Sequence, residues 1–205
     1  MVKQLADLDL RDKRVLVRVD FNVPLDEHRQ VTSDARIRAA VPTIRAILEA
    51  GGRPILMSHL GRPKGKVVES MRLRPAGARL GELLGVPVRY CDTCIGPAAV
   101  EASRALQADE VLLVENLRFH PEETDGDPAF AKSLAELGDV YVDDAFGAAH
   151  RAHASVSGVP DYLPSAAGLL LAAEIRAFDR LLDEPARPVV AILGGAKVSD
   201  KLPVI

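Results

Sequence analysis

Short apolar runs rich in Val, Ile and Leu alternate along this chain with longer segments of helical period, and that alternation constrains the fold more than any other feature. The runs are Val15–Val19, Pro54–Met57, Pro87–Tyr90, Val111–Val114, Val140–Val142 and Pro188–Leu193. Continuous apolar runs suit strands buried on both faces, as in parallel sheets covered by helices. The first helix is expected after Ser33 or Asp34, with Ile37, Ala40, Val41, Ile44, Ile47 and Leu48 on one face and Gly51-Gly52 as its stop. Further helices are expected over Pro75–Leu84, about Pro97–Leu106, Asp127–Leu137 and Ala166–Glu184, the last closed by Pro185. The β-α-β-α order predicts a doubly wound α/β fold: a parallel sheet with helices on both faces, Rossmann-like in three layers.

Chemistry-bearing residues follow these runs. The first leads to Asp20 and Asn22, the second to His59 and Arg62, the Val111 run to Arg118 and His120, and the Val140 run to His150, Arg151 and His153. The Pro188 run leads to Gly194-Gly195-Ala196-Lys197 and Lys201. In an open α/β sheet the loops at the carboxyl ends of the strands gather around one crevice, so a cationic site is expected there.

That positive charge is local. Over 205 residues the net charge is −3 and aromatics make up 4%, so a nucleic-acid surface, which needs many unopposed cations and stacking rings, is not expected. A small anion is. Charges scattered through the first residues break any signal-peptide core, and no run approaches a membrane span, so a cytoplasmic protein without membrane contact is expected. Cys91 and Cys94 lack a second pair to complete a zinc site and are expected as reduced thiols in a loop. His59, His120, His150 and His153 lie in these same loops, and the spacing of His150 and His153 suits a shared ligand, but the neighbouring Arg151 would repel a cation, so no metal is expected there.

Six ordered motifs go further. Arg18-Val19-Asp20-Phe21-Asn22-Val23-Pro24, Ser58-His59-Leu60-Gly61-Arg62-Pro63, Glu115-Asn116-Leu117-Arg118-Phe119-His120, Asp144-Ala145-Phe146-Gly147, His150-Arg151-Ala152-His153 and Gly194-Gly195-Ala196-Lys197-Val198-Ser199-Asp200-Lys201 together resemble the phosphoglycerate kinase family over essentially the whole chain.

The resemblance implies reversible phosphoryl transfer between 1,3-bisphosphoglycerate and ADP, giving 3-phosphoglycerate and ATP with Mg2+, by a cytoplasmic monomer of two domains. It places Asp20, Phe21, Asn22, Arg36, His59, Leu60, Gly61, Arg62, Arg118 and Arg151 in the substrate site. Asp20 and Asn22 would meet the glycerate hydroxyl, and the arginines the phosphate and carboxylate, which guanidinium forks match. Arg36 and Lys197 would be catalytic, and Gly194, Gly195, Lys197 and Lys201 would meet the nucleotide. The chain would then divide into a glycerate domain (1–170), a connecting helix (171–187) and the first strand and turn of a nucleotide domain (188–205). Most of that domain, with its Mg2+ contacts, would lie beyond Ile205, leaving this chain little turnover. Asp143 stands where the family more often has Asn, and Leu171–Glu174 departs from its usual hinge.

Two alternatives stay open. A complete short protein could bind phosphorylated three-carbon acids without catalysis. A nicotinamide-dependent Rossmann enzyme shares the fold class, but Asp20-Phe21-Asn22 stands where GxGxxG would be needed.

Overall fold

The alternation resolves into six parallel strands. The computed structural model describes residues 2–182, 185 and 187–190. The strands are β1 (Arg14–Arg18), β2 (Arg53–Met57), β3 (Val88–Cys91), β4 (Val111–Val114), β5 (Val140–Asp143) and β6 (Ser165–Ala167), in the order β3-β4-β2-β1-β5-β6. Every pairing between them is parallel. The helices are α1 (Ala35–Glu49), α2 (Arg74–Leu84), α3 (Pro97–Arg104), α4 (Pro121–Asp125), α5 (Pro128–Ala135), α6 (Phe146–Ala149) and α7 (Leu169–Leu182).

Strand side chains alternate between the two faces of the sheet, so one apolar run feeds two cores. Val15 and Val17 of β1 join Ile37, Ile44 and Ile47 of α1 and Leu80 of α2 in the core on one face. Leu16, with Ile55 and Met57 of β2, joins Ala99 of α3, Phe130 and Leu134 of α5 and Ala154 on the other. Helices therefore cover both faces, as expected, and the layers number three.

Local signals set several boundaries. Asp127 caps α5 by accepting from the Phe130 amide at 2.8 Å, with Pro128 at the first helical position. Gly85 ends α2 in the left-handed conformation, φ 73°. Asp34 occupies the N-cap position of α1 but caps nothing with its side chain, because its carboxylate binds Arg38 at 2.9 Å and Arg79 at 2.7 Å instead.

The structure corrects other boundaries. The helix expected from Ala166 begins at Leu169, and Ser165–Ala167 is an edge strand paired with Tyr141–Asp143. These residues have no strand preference, and the open edge of β5 decided their state. Cys91 is the last residue of β3, not a loop residue, and both thiols are free and buried. Val19 lies just past β1. Pro188–Val190 carry no strand, and Ala191–Leu193, Gly194, Gly195, Lys197 and Lys201 lie outside the described residues.

Residues 1–173 form one compact unit and residues 174–205 a second. Among the described residues no helix is long and apolar enough to cross a membrane.

Candidate functional site

The loops following β1, β2, β4 and β5 meet at the carboxyl edge of the sheet, where β1 lies between β2 and β5 and β4 adjoins β2. Polar bonds stitch them together. The Phe21 amide donates to Ser58 Oγ at 2.8 Å, joining the first loop to the second. The Leu117 amide donates to the Ser58 carbonyl at 3.1 Å, joining the third to the second. The Gly61 amide donates to Asn22 Oδ1 at 2.9 Å, and Arg118 Nη1 donates to the Gly61 carbonyl at 3.0 Å. Asn116, fully buried, donates from Nδ2 to the carbonyls of Leu60 at 2.8 Å and Met71 at 2.9 Å, and its Oδ1 accepts from the Arg118 amide at 3.1 Å.

These loops enclose a cleft of about 290 Å3 lined by Asp20, Asn22, Arg36, His59, Gly61, Arg62, Arg118, Arg151, Gly147 and Ala148. Eight of the ten substrate-site residues expected from sequence are thus brought together. The other two, Phe21 and Leu60, lie in the same loops with their side chains buried in the core. Gly147 and Ala148, supplied by α6, had no assigned role.

The charge in this cleft is concentrated. Arg36, in the first turn of α1, is half exposed and donates to Asp20 Oδ2 at 2.6 Å. Arg118 is held below the usual guanidinium range by burial and then by the neighbouring Arg151, Arg18 and Arg62. Its Nε is buried without a hydrogen-bond partner. The mutual repulsion of these guanidinium groups is relieved by an oxyanion entering the cleft. His59 is 6% exposed, and burial, reinforced by Arg18, Arg118, His153 and Arg36, pushes its imidazole down to about 2. It is neutral at physiological pH.

Arg18, the last residue of β1, is fully buried behind His59, and Ser155 and Glu123 are buried behind Arg18. Residue spacing gave these three no role. An arginine inside the run Val15–Val19 was the available signal, since a cation in a strand covered on both faces must find partners.

A second cleft of about 540 Å3 shares Arg62, Arg118 and Arg151 with the first and adds Lys64 and His153. A larger one, about 870 Å3, lies beside α1 and α2. Three of its arginines, Arg38, Arg79 and Arg74, are already paired with Asp34, Glu82 and Asp92. His150 is exposed, and the His120 ring packs 5.2 Å from that of Phe130. Among the described residues no group of three or more His, Cys, Asp or Glu is placed to hold a metal ion.

A family model described as phosphoglycerate kinase matches residues 5–205. The chain belongs to the phosphoglycerate kinase family. The phosphoglycerate kinase of Moorella thermoacetica is 62% identical over 201 residues, 98% of this chain and 51% of that relative. That of Herpetosiphon aurantiacus is 58% identical over 201 residues, with the same coverage, 98% and 51%. Among solved structures, phosphoglycerate kinase from Pyrococcus horikoshii superposes with a TM-score of 0.89 at 34% identity over 98% of this chain and 51% of that one. The enzyme from Coxiella burnetii gives 0.84 at 37% identity over 98% and 50%. The chain spans about half the length of the curated phosphoglycerate kinases it matches. The fold reading and the family resemblance both hold.

Proposed function

We propose that the 290 Å3 cleft is the glycerate site of a phosphoglycerate kinase, transferring a phosphoryl group reversibly between 1,3-bisphosphoglycerate and ADP to give 3-phosphoglycerate and ATP. The observation that carries this is the convergence of Arg36, Arg62, Arg118 and Arg151 on one small cleft that also presents Asp20, Asn22 and His59. A ligand with two anionic ends and a hydroxyl between them matches that set. Arg62, Arg118 and Arg151 take the phosphate, Asp20 and Asn22 the hydroxyl, and Arg36 the carboxylate end.

Phosphoryl transfer asks little covalent chemistry of a protein and depends on positioning and charge neutralisation. Arg36 is suited to both: it is held by Asp20 yet half exposed, so its fork is ordered and still accessible. As the carboxylate oxygen of 3-phosphoglycerate bonds to the terminal phosphorus of ATP, the bond from that phosphorus to the bridging oxygen breaks and ADP leaves, and negative charge is spread over the oxygens of the transferring group. Arg36 is the residue of the cleft placed to stabilise it, and Lys197 is proposed to share that role. Gly194, Gly195 and Lys201 would meet the nucleotide phosphates. In this proposal residues 1–170 are the glycerate domain, 171–187 the connecting segment, which holds most of α7, and 188–205 the start of the nucleotide domain.

ATP or ADP brings Mg2+, which supplies charge neutralisation on the phosphates when bound. The cleft residues do not fit it: Asp20 is the one carboxylate lining the cleft, it is already paired with Arg36, and four arginines surround it. The protein is proposed to act as a cytoplasmic monomer.

Calorimetry tests the site directly. 3-Phosphoglycerate should bind, glycerate should bind at least 100-fold more weakly, and Arg118→Ala should lose roughly tenfold or more, the scale of one charge-assisted hydrogen bond. Equal affinity for glycerate and 3-phosphoglycerate would overturn the assignment of the three arginines.

A further inference from the structure

Three buried side chains behind the cleft, Arg18, Ser155 and Glu123, form an ordered chain that ends on His59 and has no part in the phosphoryl-transfer scheme. Arg18 Nε donates to Ser155 Oγ at 2.9 Å, and Ser155 Oγ donates in turn to Glu123 Oε1 at 2.6 Å. The Ser155 amide donates to Glu123 Oε2 at 2.9 Å, so the carboxylate is held at both oxygens. Arg18 Nη1 donates to the carbonyl of Val19. Nη2 faces His59 Nδ1 at 3.1 Å. Arg18, Ser155 and Glu123 are all fully buried.

The direction of the last bond follows from the partners. A guanidinium has five donors and no acceptor, so His59 Nδ1 must accept. In a neutral imidazole the nitrogen that accepts carries no proton, and the proton sits on the other nitrogen. We infer that Arg18, anchored by Ser155 and Glu123, is a positioning residue that fixes His59 as the Nε2–H tautomer, making it a permanent hydrogen-bond donor to the anion in the cleft.

The anchoring has a physical purpose. Arg18 alone would place an uncompensated cation inside the protein, and Glu123 alone an uncompensated anion. With Ser155 between them the charges offset one another, and each of the three guanidinium nitrogens has an acceptor. The fork is then held in one orientation on the face of the sheet that strand alternation gives it, the face of Leu16. A histidine that was free to flip tautomer would spend part of its time pointing a lone pair at an oxyanion. Fixed as the inference has it, it presents only N–H. This role rests on the proposed glycerate site only for the identity of the anion.

The groups facing His59 are Arg18 from β1, Arg36 from α1, Arg118 from the loop after β4 and His153, with Asp20, Arg62 and Arg151 in the same cleft. Nitrogen-15 NMR of the full chain carrying labelled histidine, without ligand, reads the tautomer directly. His59 should show a protonated Nε2 and an unprotonated, hydrogen-bonded Nδ1, unchanged from pH 5 to 9. Arg18→Met should give a mixture of tautomers and weaken 3-phosphoglycerate binding roughly tenfold. A wild-type spectrum with the proton on Nδ1, or a His59 titration in that pH range, would overturn the inference, and so would an Arg18→Met spectrum identical to wild type. Should Arg18→Met fail to fold, the wild-type spectrum still decides. An Nε2–H spectrum in a protein that does not bind 3-phosphoglycerate overturns the glycerate assignment and leaves the tautomer standing.

Discussion

Replacing Asn116 should do more damage per atom than any other substitution at the site. Its side chain makes three hydrogen bonds with no access to water: Nδ2 to the Leu60 and Met71 carbonyls, and Oδ1 from the Arg118 amide. Asn116→Ala removes all three and strands two carbonyls and an amide. At about 1 kcal/mol net per bond, plus the desolvation of groups left unpaired, the loss should be about 3–5 kcal/mol. Asn116→Asp separates the polar loss from the packing loss, since it keeps the shape and the acceptor but turns an oxygen toward two carbonyls. Burial raises the pKa of such a carboxyl above its unfolded value, so the native state binds the proton more tightly. Stability is then best below the unfolded carboxylate range and falls as pH rises through the native value. Asn116→Asp should therefore lie closest to wild type near pH 4 and furthest from it at pH 8. Urea denaturation followed by circular dichroism at the two pH values measures both effects. A loss below about 1 kcal/mol for Asn116→Ala, less than one bond is worth, or a pH-independent gap for Asn116→Asp, would refute the reasoning.

Other expectations follow from single geometries. Asp144 accepts from the Leu170 and Leu171 amides at the start of α7, and burial raises its pKa from 3.8 to about 6. Its folded value is the higher one, so wild type should lose about 2–3 kcal/mol as pH climbs from 4 to 7, and Asp144→Asn should flatten that slope in a denaturation series. Gly61 has φ +66°, and an added Cβ would meet Met71 Sδ at 2.9 Å. Gly61→Ala should cost about 1–2 kcal/mol from the backbone alone and weaken anion binding as well, because the same residue bonds Asn22 and Arg118. Equal anion affinity in that variant by calorimetry would count against the stitched loops. Cys94 is buried with its thiol pushed up, first by burial, and Cys91 is buried too. Both should resist a thiol reagent in the native protein and react at once in guanidinium, and fast native labelling would contradict their burial.

Much of the fold was legible because it depends on short-range periodicity. Val15, Val17, Leu112 and Val142 are apolar without interruption, and only a sheet covered on both faces can bury such runs. Pro128 with Asp127, and Gly85, mark helix ends through local backbone chemistry alone. Ser165–Ala167 was illegible because nothing in Ser-Ala-Ala favours a strand, and only the free edge of β5 made it one. At the site, seven polar and glycine positions were legible as loop residues after strands and Arg36, in the first turn of α1, only through the family resemblance, whereas Phe21 and Leu60 share those loops yet point into the core. A motif does not say which way its residues face.

By itself the sequence determined the layer structure and the set of loops that must meet, because burying apolar area is non-directional and follows a period of two or 3.6 residues. The tertiary structure decided what those loops do together. Arg18 meets Ser155 across 137 positions and His59 across 41, and Asn116 spans 56 positions to reach Leu60. Hydrogen bonds are satisfied only within tenths of an ångström and a narrow range of angles, so partners that distant are fixed by the packed sheet and by nothing local.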